Sequence, residues 1–248
     1  MTHPILRLFK RLLNSASKRL FWRSHLQDAI NQMECINNTL TTPEMFMSVP
    51  MAFRGKGYYR SLELKQNMNE LLGLINILKS RNLNQVCEIG TFKGGTLYIW
   101  CQLADFRANI HSIDLPGGGF GGGYNERSLP FFQSFRKSGQ KLNCLRGDSH
   151  NHQVKLKFQS LLGEQQLDFL FIDGDHSYQG VKQDFEDYKE FVRPGGIIAF
   201  HDIVERRSQP DIEVWRFWSE IKKAYRSQEF IDPSPDKRTI GIGVIYID

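Results

Sequence analysis

Two short runs carry side chains able to move a proton or hold a cation: Asp173-Gly174-Asp175-His176 and His201-Asp202. Each closes an apolar stretch, Phe169-Leu170-Phe171-Ile172 in the first case and Ile197-Ile198-Ala199-Phe200 in the second. Carboxylates and imidazoles in one place supply general bases of moderate pKa, the groups a weakly nucleophilic hydroxyl needs. A lone histidine or aspartate at a strand end is ordinarily a surface or turn residue. Five such groups from two strand ends on one sheet edge make a functional cluster the better reading.

A third element precedes them. Glu88-Ile89-Gly90-Thr91-Phe92-Lys93-Gly94-Gly95-Thr96 follows the apolar run Val86-Cys87. A glycine at that turn lets a ligand approach backbone, and the helix start beyond it offers unpaired N–H groups. Dinucleotide sites use the spacing G-x-G-x-x-G for a pyrophosphate, and that spacing is absent here. An acid at Glu88 opposes phosphate and suits an ammonium group, so the loop fits the amino-acid end of a zwitterionic cofactor without phosphate. Asp114 ends the next apolar run, 24 residues after Gly90, where an acid takes paired ribose hydroxyls.

These residues need a scaffold that brings strand ends together. Apolar runs at 85–90, 109–114, 141–146, 168–173 and 197–203 alternate with helical patterns near 94–105, 127–138, 152–162 and 177–192. Alternating strands and helices imply βαβ units and a doubly wound, mostly parallel sheet with helices on both faces. Right-handed crossovers place all the carboxyl ends on one edge. Val181, Phe185, Tyr188 and Val192 form the stripe of the 177–192 helix, with Arg193-Pro194-Gly195-Gly196 as its stop. A further helix carries Val214, Phe217, Trp218, Ile221 and Tyr225. Two last runs, Phe230-Ile231 and 240–247, are joined too closely for a parallel crossover and predict an antiparallel pair closing the sheet.

Ahead of the alternating region, the spacing predicts a helix from Leu62 to about Lys79 and, over 41–58, a linker or lid marked by Pro43, Pro50, Gly55 and Gly57. Ile5, Leu8, Phe9, Leu12 and Leu13 have helical spacing beside Lys10 and Arg11. That N-terminal helical extension reads as an arm packing on its own domain or on a second subunit (a homodimer), or as a basic helix in peripheral contact with a membrane. The division expected is 1–58 for arm and linker and 59–248 for the enzyme domain.

At this point the chain resembles the class I S-adenosylmethionine-dependent methyltransferases, in the branch called methyltransferase domain 24 or cephalosporin-hydroxylase-like. The resemblance spans about residues 85–205 and rests on Cys87 to Thr96, Ser112-Ile113-Asp114, Gly147-Asp148-Ser149, Phe169 to His176 and Pro194 to Asp202. It implies a Rossmann-like fold and S-adenosylmethionine as cofactor. The cofactor-binding residues would be Glu88, Gly90, Thr91, Gly94, Gly95, Thr96, Asp114, Asp148, Ser149 and Asp173. Glu88 and Gly90 would meet the methionine part, Asp114 the ribose, and Asp148 with Ser149 the adenine. The implied reaction is methylation of a hydroxyl on a small polar molecule such as a sugar or glycosylated natural product, with His176, His201 and Asp173 as catalytic residues.

Similar O-methyltransferases hold magnesium with oxygen ligands from the two strand ends. Asp173 and Asp202 would supply two, but His201 stands where those relatives carry an oxygen. Imidazole suits manganese, iron or zinc better, or serves as a base with no metal, so the set Asp173, His201 and Asp202 is left open between these roles. Two other function classes compete. A nicotinamide-dependent reductase or epimerase would use Tyr178-x-x-x-Lys182 but lacks its glycine turn, and a non-catalytic binding module would keep the fold without needing His176 and His201.

The composition is consistent with this reading. The 248 residues are 40% hydrophobic and 12% aromatic, enough for a full core. The net charge of +5 is concentrated in Arg7, Lys10, Arg11, Lys18, Arg19 and Arg23, and the remainder is close to neutral, so nucleic acid is not an expected partner. Cys35, Cys87, Cys101 and Cys144 show no metal or disulfide spacing, and no run is long enough to cross a membrane; a cytoplasmic location is expected. Six glycines between Pro116 and Tyr124 form no core, and a mobile lid touching ligand through Phe120 and Tyr124 is the reading preferred over a plain connector. Asp184, Glu186 and Asp187 read as the solvated face of their helix, and His150 with His152 as a polar loop.

Overall fold

A computed structural model describes residues 20–40, 42–120, 122–234 and 239–248. The amphipathic stripe at Ile5 to Leu13 lies outside the described residues. The chain enters through helices α1 (Trp22–Asn37) and α2 (Pro43–Ala52), a single 3₁₀ turn at Gly57–Tyr59, and α3 (Met68–Leu78). Then follow β1 (Gln85–Ile89), α4 (Gly95–Leu103), β2 (Asn109–Asp114), α5 (Ser128–Gln133) and β3 (Lys141–Arg146). The second half is α6 (His152–Leu162), β4 (Leu167–Ile172), α7 (Tyr178–Tyr188), β5 (Val192–His201), α8 (Val214–Ile221), β6 (Arg226–Phe230) and β7 (Ile242–Tyr246).

The seven strands form one sheet in the order β3-β2-β1-β4-β5-β7-β6. Strands β3, β2, β1, β4 and β5 run parallel, and β7 pairs antiparallel with both β5 and β6. This is the doubly wound sheet with an antiparallel closing pair that the alternation predicts. The order reverses direction between β1 and β4, which leaves a crevice at their carboxyl ends for a ligand.

Both faces of the sheet are covered, so β1 and β4 are buried along their whole length rather than alternating. Phe169 and Phe171 of β4 join one core with α1 to α5, including Met33, Phe46, Leu71, Leu97 and Phe132. Leu170 and Ile172 join the other with α6 to α8, including Phe158, Phe185 and Trp218. The first helices are thus built into the same core as the sheet.

Three boundaries differ from expectation, each for a local reason. Within the expected linker, Pro43–Ala52 is helical: Pro43 sits at the first helical position, where a missing N–H costs nothing, and the Thr42 side chain accepts from Met45 N at 3.4 Å. Pro50 is tolerated in the last turn of α2. The helix expected from Leu62 starts only at Met68, because Asn67 caps it by accepting from Asn69 N at 2.9 Å. Residues 61–67 instead run without regular structure past Gly95 and Asp173, which matters for the site. The helix expected to reach 192 ends at Tyr188, followed by one 3₁₀ turn and then by β5. Pro194-Gly195-Gly196 lies inside that strand, beside a register shift between Leu167 and Phe169. No helix among the described residues is long and apolar enough to cross a membrane.

Candidate active site

The loop after β1 is shaped by positive φ angles at Gly90 (89°), Phe92 (51°) and Gly94 (81°). A side chain on Gly90 would overlap the Asp173 carbonyl, and one on Gly95 the Glu63 carbonyl. The glycines therefore let β1, β4 and the 61–67 segment converge, besides opening space for a ligand.

Glu88 is fully buried beneath this loop. Its Oε1 accepts from Trp100 Nε1 and its Oε2 from Thr91 Oγ1, both at 2.8 Å. Burial raises its pKa to about 8, against the hydrogen bonds from Thr96, Thr91 and Trp100. The carboxyl group ties the loop to α4, with both oxygens directed inward. Asp114 plays a similar part at the end of β2. Its Oδ2 accepts from the backbone N–H of Thr91 (3.0 Å) and Phe92 (2.6 Å), and burial pushes its pKa up to about 6. Its Oδ1 lies beside Gly123, where a Cβ would stand only 2.7 Å away.

Two aromatic residues of the glycine segment meet this edge. Tyr124 is a buried anchor whose hydroxyl meets Ser112 Oγ at 3.1 Å. Phe120 is 44% exposed and stacks on His176, with ring centroids 5.1 Å apart and planes 12° from parallel. A cavity of about 450 Å³ opens between the 57–63 segment, Phe92-Lys93, residues 122–125 and α5. The acid and histidine cluster does not line it; Phe120 covers that cluster instead.

At the carboxyl ends of β4 and β5, four of the five expected side chains meet. His201 Nδ1 lies 2.8 Å from Asp173 Oδ1, and His176 Nδ1 lies 2.6 Å from Asp202 Oδ2. Cross-contacts of 3.5 Å join His176 Nε2 to Asp173 and His201 Nδ1 to Asp202. One ligand atom each from Asp173, His201 and Asp202 falls within 4.8 Å of the others. Asp175 does not join them: its Oδ1 accepts from Ser177 N at 2.9 Å at the start of α7. Asp202 has φ of 65°, a conformation uncommon outside glycine, which aims its carboxylate back at the histidines.

Burial disfavours the charged form of His201, but the Asp173 and Asp202 carboxylates outweigh it and hold its pKa above the ordinary value. His176 follows the same balance, with Asp202 as the main carboxylate. Burial would raise Asp202, yet the His176 hydrogen bond and the nearby cations keep it well below the usual carboxylate range.

Two further residues complete the cluster. Gln66 Nε2 donates to Asp173 Oδ2 at 2.7 Å, and Arg206 Nη2 lies 2.6 Å from Asp202 Oδ1. Asp148 and Ser149 follow β3 on the same edge but do not touch the histidines. Ser149 Oγ donates to Asp184 Oδ1 at 2.6 Å, and His150 Nε2 lies 3.1 Å from the same oxygen. Asp184 is therefore completely buried, not on a solvated face. Its hydrogen bond lifts the His150 pKa to about 9. Tyr178 and Lys182 turn to Glu220 and Glu186, so they form no reductase dyad.

Residues 87–203 match the sequence model of a family described as a methyltransferase domain. An uncharacterized protein of Acanthamoeba polyphaga mimivirus, R132, is 30% identical over 164 residues, covering 62% of this chain and 71% of its own. In fold, the chain is similar to an O-methyltransferase from Bacillus cereus solved with SAH, at 13% identity and a TM-score of 0.51, covering 96% and 97% of the two chains. It is also similar to the O-methyltransferase TomG from Streptomyces achromogenes, solved with SAM, at 15% identity and a TM-score of 0.53, covering 76% and 83%.

Proposed function

The chain belongs to the methyltransferase-domain family, and on that premise we propose that it methylates a hydroxyl of a small polar acceptor, using S-adenosylmethionine. The acceptor class, a sugar or glycosylated natural product, comes from the family likeness. The observation that carries the reading is the pairing of His201 with Asp173 at 2.8 Å, one strand away from the Glu88–Gly94 loop.

The loop and Asp114 fit the cofactor. Gly123 leaves open the space over Asp114 Oδ1 that a Cβ would fill, and the start of α4 at Gly95 has no side-chain cap. When bound, S-adenosylmethionine supplies a methyl group activated by positive sulfur. Asp114 would hold the ribose, the Gly90–Thr96 turn the methionine end, and Asp148 with Ser149 the adenine.

The residues of the chain then handle the acceptor proton. Asp173 accepts from Nδ1 of His201 and so fixes the tautomer, leaving Nε2, which is buried without a protein partner, as the base. Asp173 acts through that imidazole and stabilises it once protonated. His176, held by Asp202, is the second proton-carrying group at the same edge. Phe120 above it keeps water from the cluster. Helices α1 and α2 pack into the core of this domain, which takes residues 59–248 as its catalytic part.

Calorimetric titration of the full chain with S-adenosylmethionine, with NAD as control, tests the reading. Micromolar binding of the first and none of the second is the expected result. A folded protein that binds neither would remove the assignment.

A further inference from the structure

We propose that Arg206 is the resident cation of the Asp173–His201–Asp202 cluster and that this site works without a divalent metal. The three residues have the spacing of a metal site, so the question is what their oxygens already hold. Asp173 Oδ1 faces His201 Nδ1 at 2.8 Å, and its Oδ2 takes Gln66 Nε2 at 2.7 Å. Asp202 Oδ2 faces His176 Nδ1 at 2.6 Å, and its Oδ1 faces Arg206 Nη2 at 2.6 Å. Each of the four carboxylate oxygens has a nitrogen of the chain within 2.8 Å, as hydrogen bonds at Asp173 and as ion-pair contacts at Asp202. A metal could take them only by turning those partners away.

Arg206 makes that exchange costly. Its side chain is 9% exposed, and its Nε, Nη1 and Nη2 are all buried without a hydrogen bond of good geometry. Asp202 is its ion-pair partner among the described residues. A guanidinium keeps its charge at every working pH, and a buried charge stripped of its counter-ion is strongly destabilising. A metal drawing Asp202 away would strand Arg206. A metal sharing Asp202 would sit a few ångströms from a permanent positive charge, at low dielectric.

The arrangement suits an imidazole base at His201. Imidazole needs no metal to accept a proton, and Asp173 already orients it. Arg206 supplies the fixed positive charge beside Asp202 that a cation would otherwise provide. This inference concerns the cluster itself and stands apart from the identity of the cofactor.

The test is a titration of chelator-treated full-length protein with Mn²⁺ and Mg²⁺, read by calorimetry and by the electron paramagnetic resonance of Mn²⁺. The wild type is expected to show no saturable binding tighter than about 1 mM. Arg206→Ala frees Asp202 and removes the like charge, so Mn²⁺ should then bind at least about tenfold more tightly. Adding Asp202→Asn should abolish the gain. Micromolar, stoichiometric binding by the wild type that Asp173→Asn removes would overturn the proposal. So would an Arg206→Ala protein no better at binding Mn²⁺ than its parent. Should that variant fail to fold, Arg206→Gln retains more of the side-chain volume, and the wild-type titration decides without any variant. S-adenosylmethionine binding, measured on the same samples, keeps a failure here distinct from a failure of the methyltransferase reading.

Discussion

Gly90 offers the sharpest test of how the fold makes the site. Its φ is +89°, and a Cβ there would overlap the carbonyl carbon and oxygen of Asp173, with Gly174 N only 2.7 Å away. Neither strand can step aside, because Asp173 N donates to Ile89 O at 2.8 Å and Gly90 N to Ile113 O at 2.9 Å. Gly90→Ala should cost about 1–2 kcal/mol for the left-handed backbone and about 1–3 kcal/mol for the clash. The sum, roughly 2–5 kcal/mol, is a large share of the ~5–15 kcal/mol that stabilises a typical domain. Gly117 isolates the two contributions: its φ is +77° in a turn closed by Gly118 N donating to Leu115 O, and nothing lies within 4 Å of its Cβ position. Gly117→Ala should therefore carry the backbone penalty alone. Urea unfolding of both variants, with unchanged m-values, gives the difference directly. Equal losses would refute the claim that Gly90 is required by its contact with Asp173. A Gly90 variant that loses S-adenosylmethionine binding would then point to the cofactor itself as the reason for glycine.

Other consequences follow from individual groups. Glu70 is buried and accepts from the backbone N–H of Asp232 (3.0 Å), Ile240 (3.3 Å) and Gly241 (2.8 Å); Glu70→Ala strands these donors and should cost about 3 kcal/mol in urea unfolding. His150 has a folded pKa of about 9, raised from its ordinary ~6.5, so its pairing with Asp184 stabilises fully below pH ~6.5 and fades as pH rises through 9. That contribution should be about 1–2 kcal/mol after solvent screening, and His150→Ala should flatten the pH dependence of the urea midpoint over that window. His201 must be neutral to take a proton, and its pKa is held above the ordinary value; the rate of methyl transfer should therefore rise with pH, with a midpoint above that of a free imidazole. His201→Ala should lower kcat about 10²–10⁴-fold while leaving S-adenosylmethionine affinity nearly unchanged; unaltered turnover would remove it as the base.

The sheet was legible because burial on both faces writes each central strand as a short apolar run, and the acids that end those runs mark its carboxyl edge. The elements that failed were those whose ends are set by one capping residue. Asn67 starts α3 six residues after the hydrophobic spacing begins, and two prolines disguised α2 although Pro43 occupies a favourable first position. Asp184 carried a usable signal that composition hid. Val181, Asp184, Phe185 and Tyr188 share the i, i+3, i+4, i+7 spacing of a core stripe, so its burial followed from position although its neighbours Glu186 and Asp187 pointed to solvent.

The cluster shows where spacing stops being informative. Strand ends establish that Asp173, His176, His201 and Asp202 meet, and nothing in that spacing says which atoms remain free when they do. Gln66 reaches Asp173 from an irregular segment 107 residues earlier in the chain, and no local pattern marks it. Arg206 lies four residues after Asp202, a spacing that pairs side chains on a helix but here belongs to a loop. Glu88 is the same case on the cofactor side: its type and place follow from the motif, while Trp100 and Thr91 claim both its oxygens. A carboxylate in a known motif therefore has its role decided by the donors around it. With every oxygen of Asp173 and Asp202 already facing a nitrogen of the chain, it is that set of donors, and Arg206 in particular, that decides between a metal site and a site whose positive charge is built into the protein.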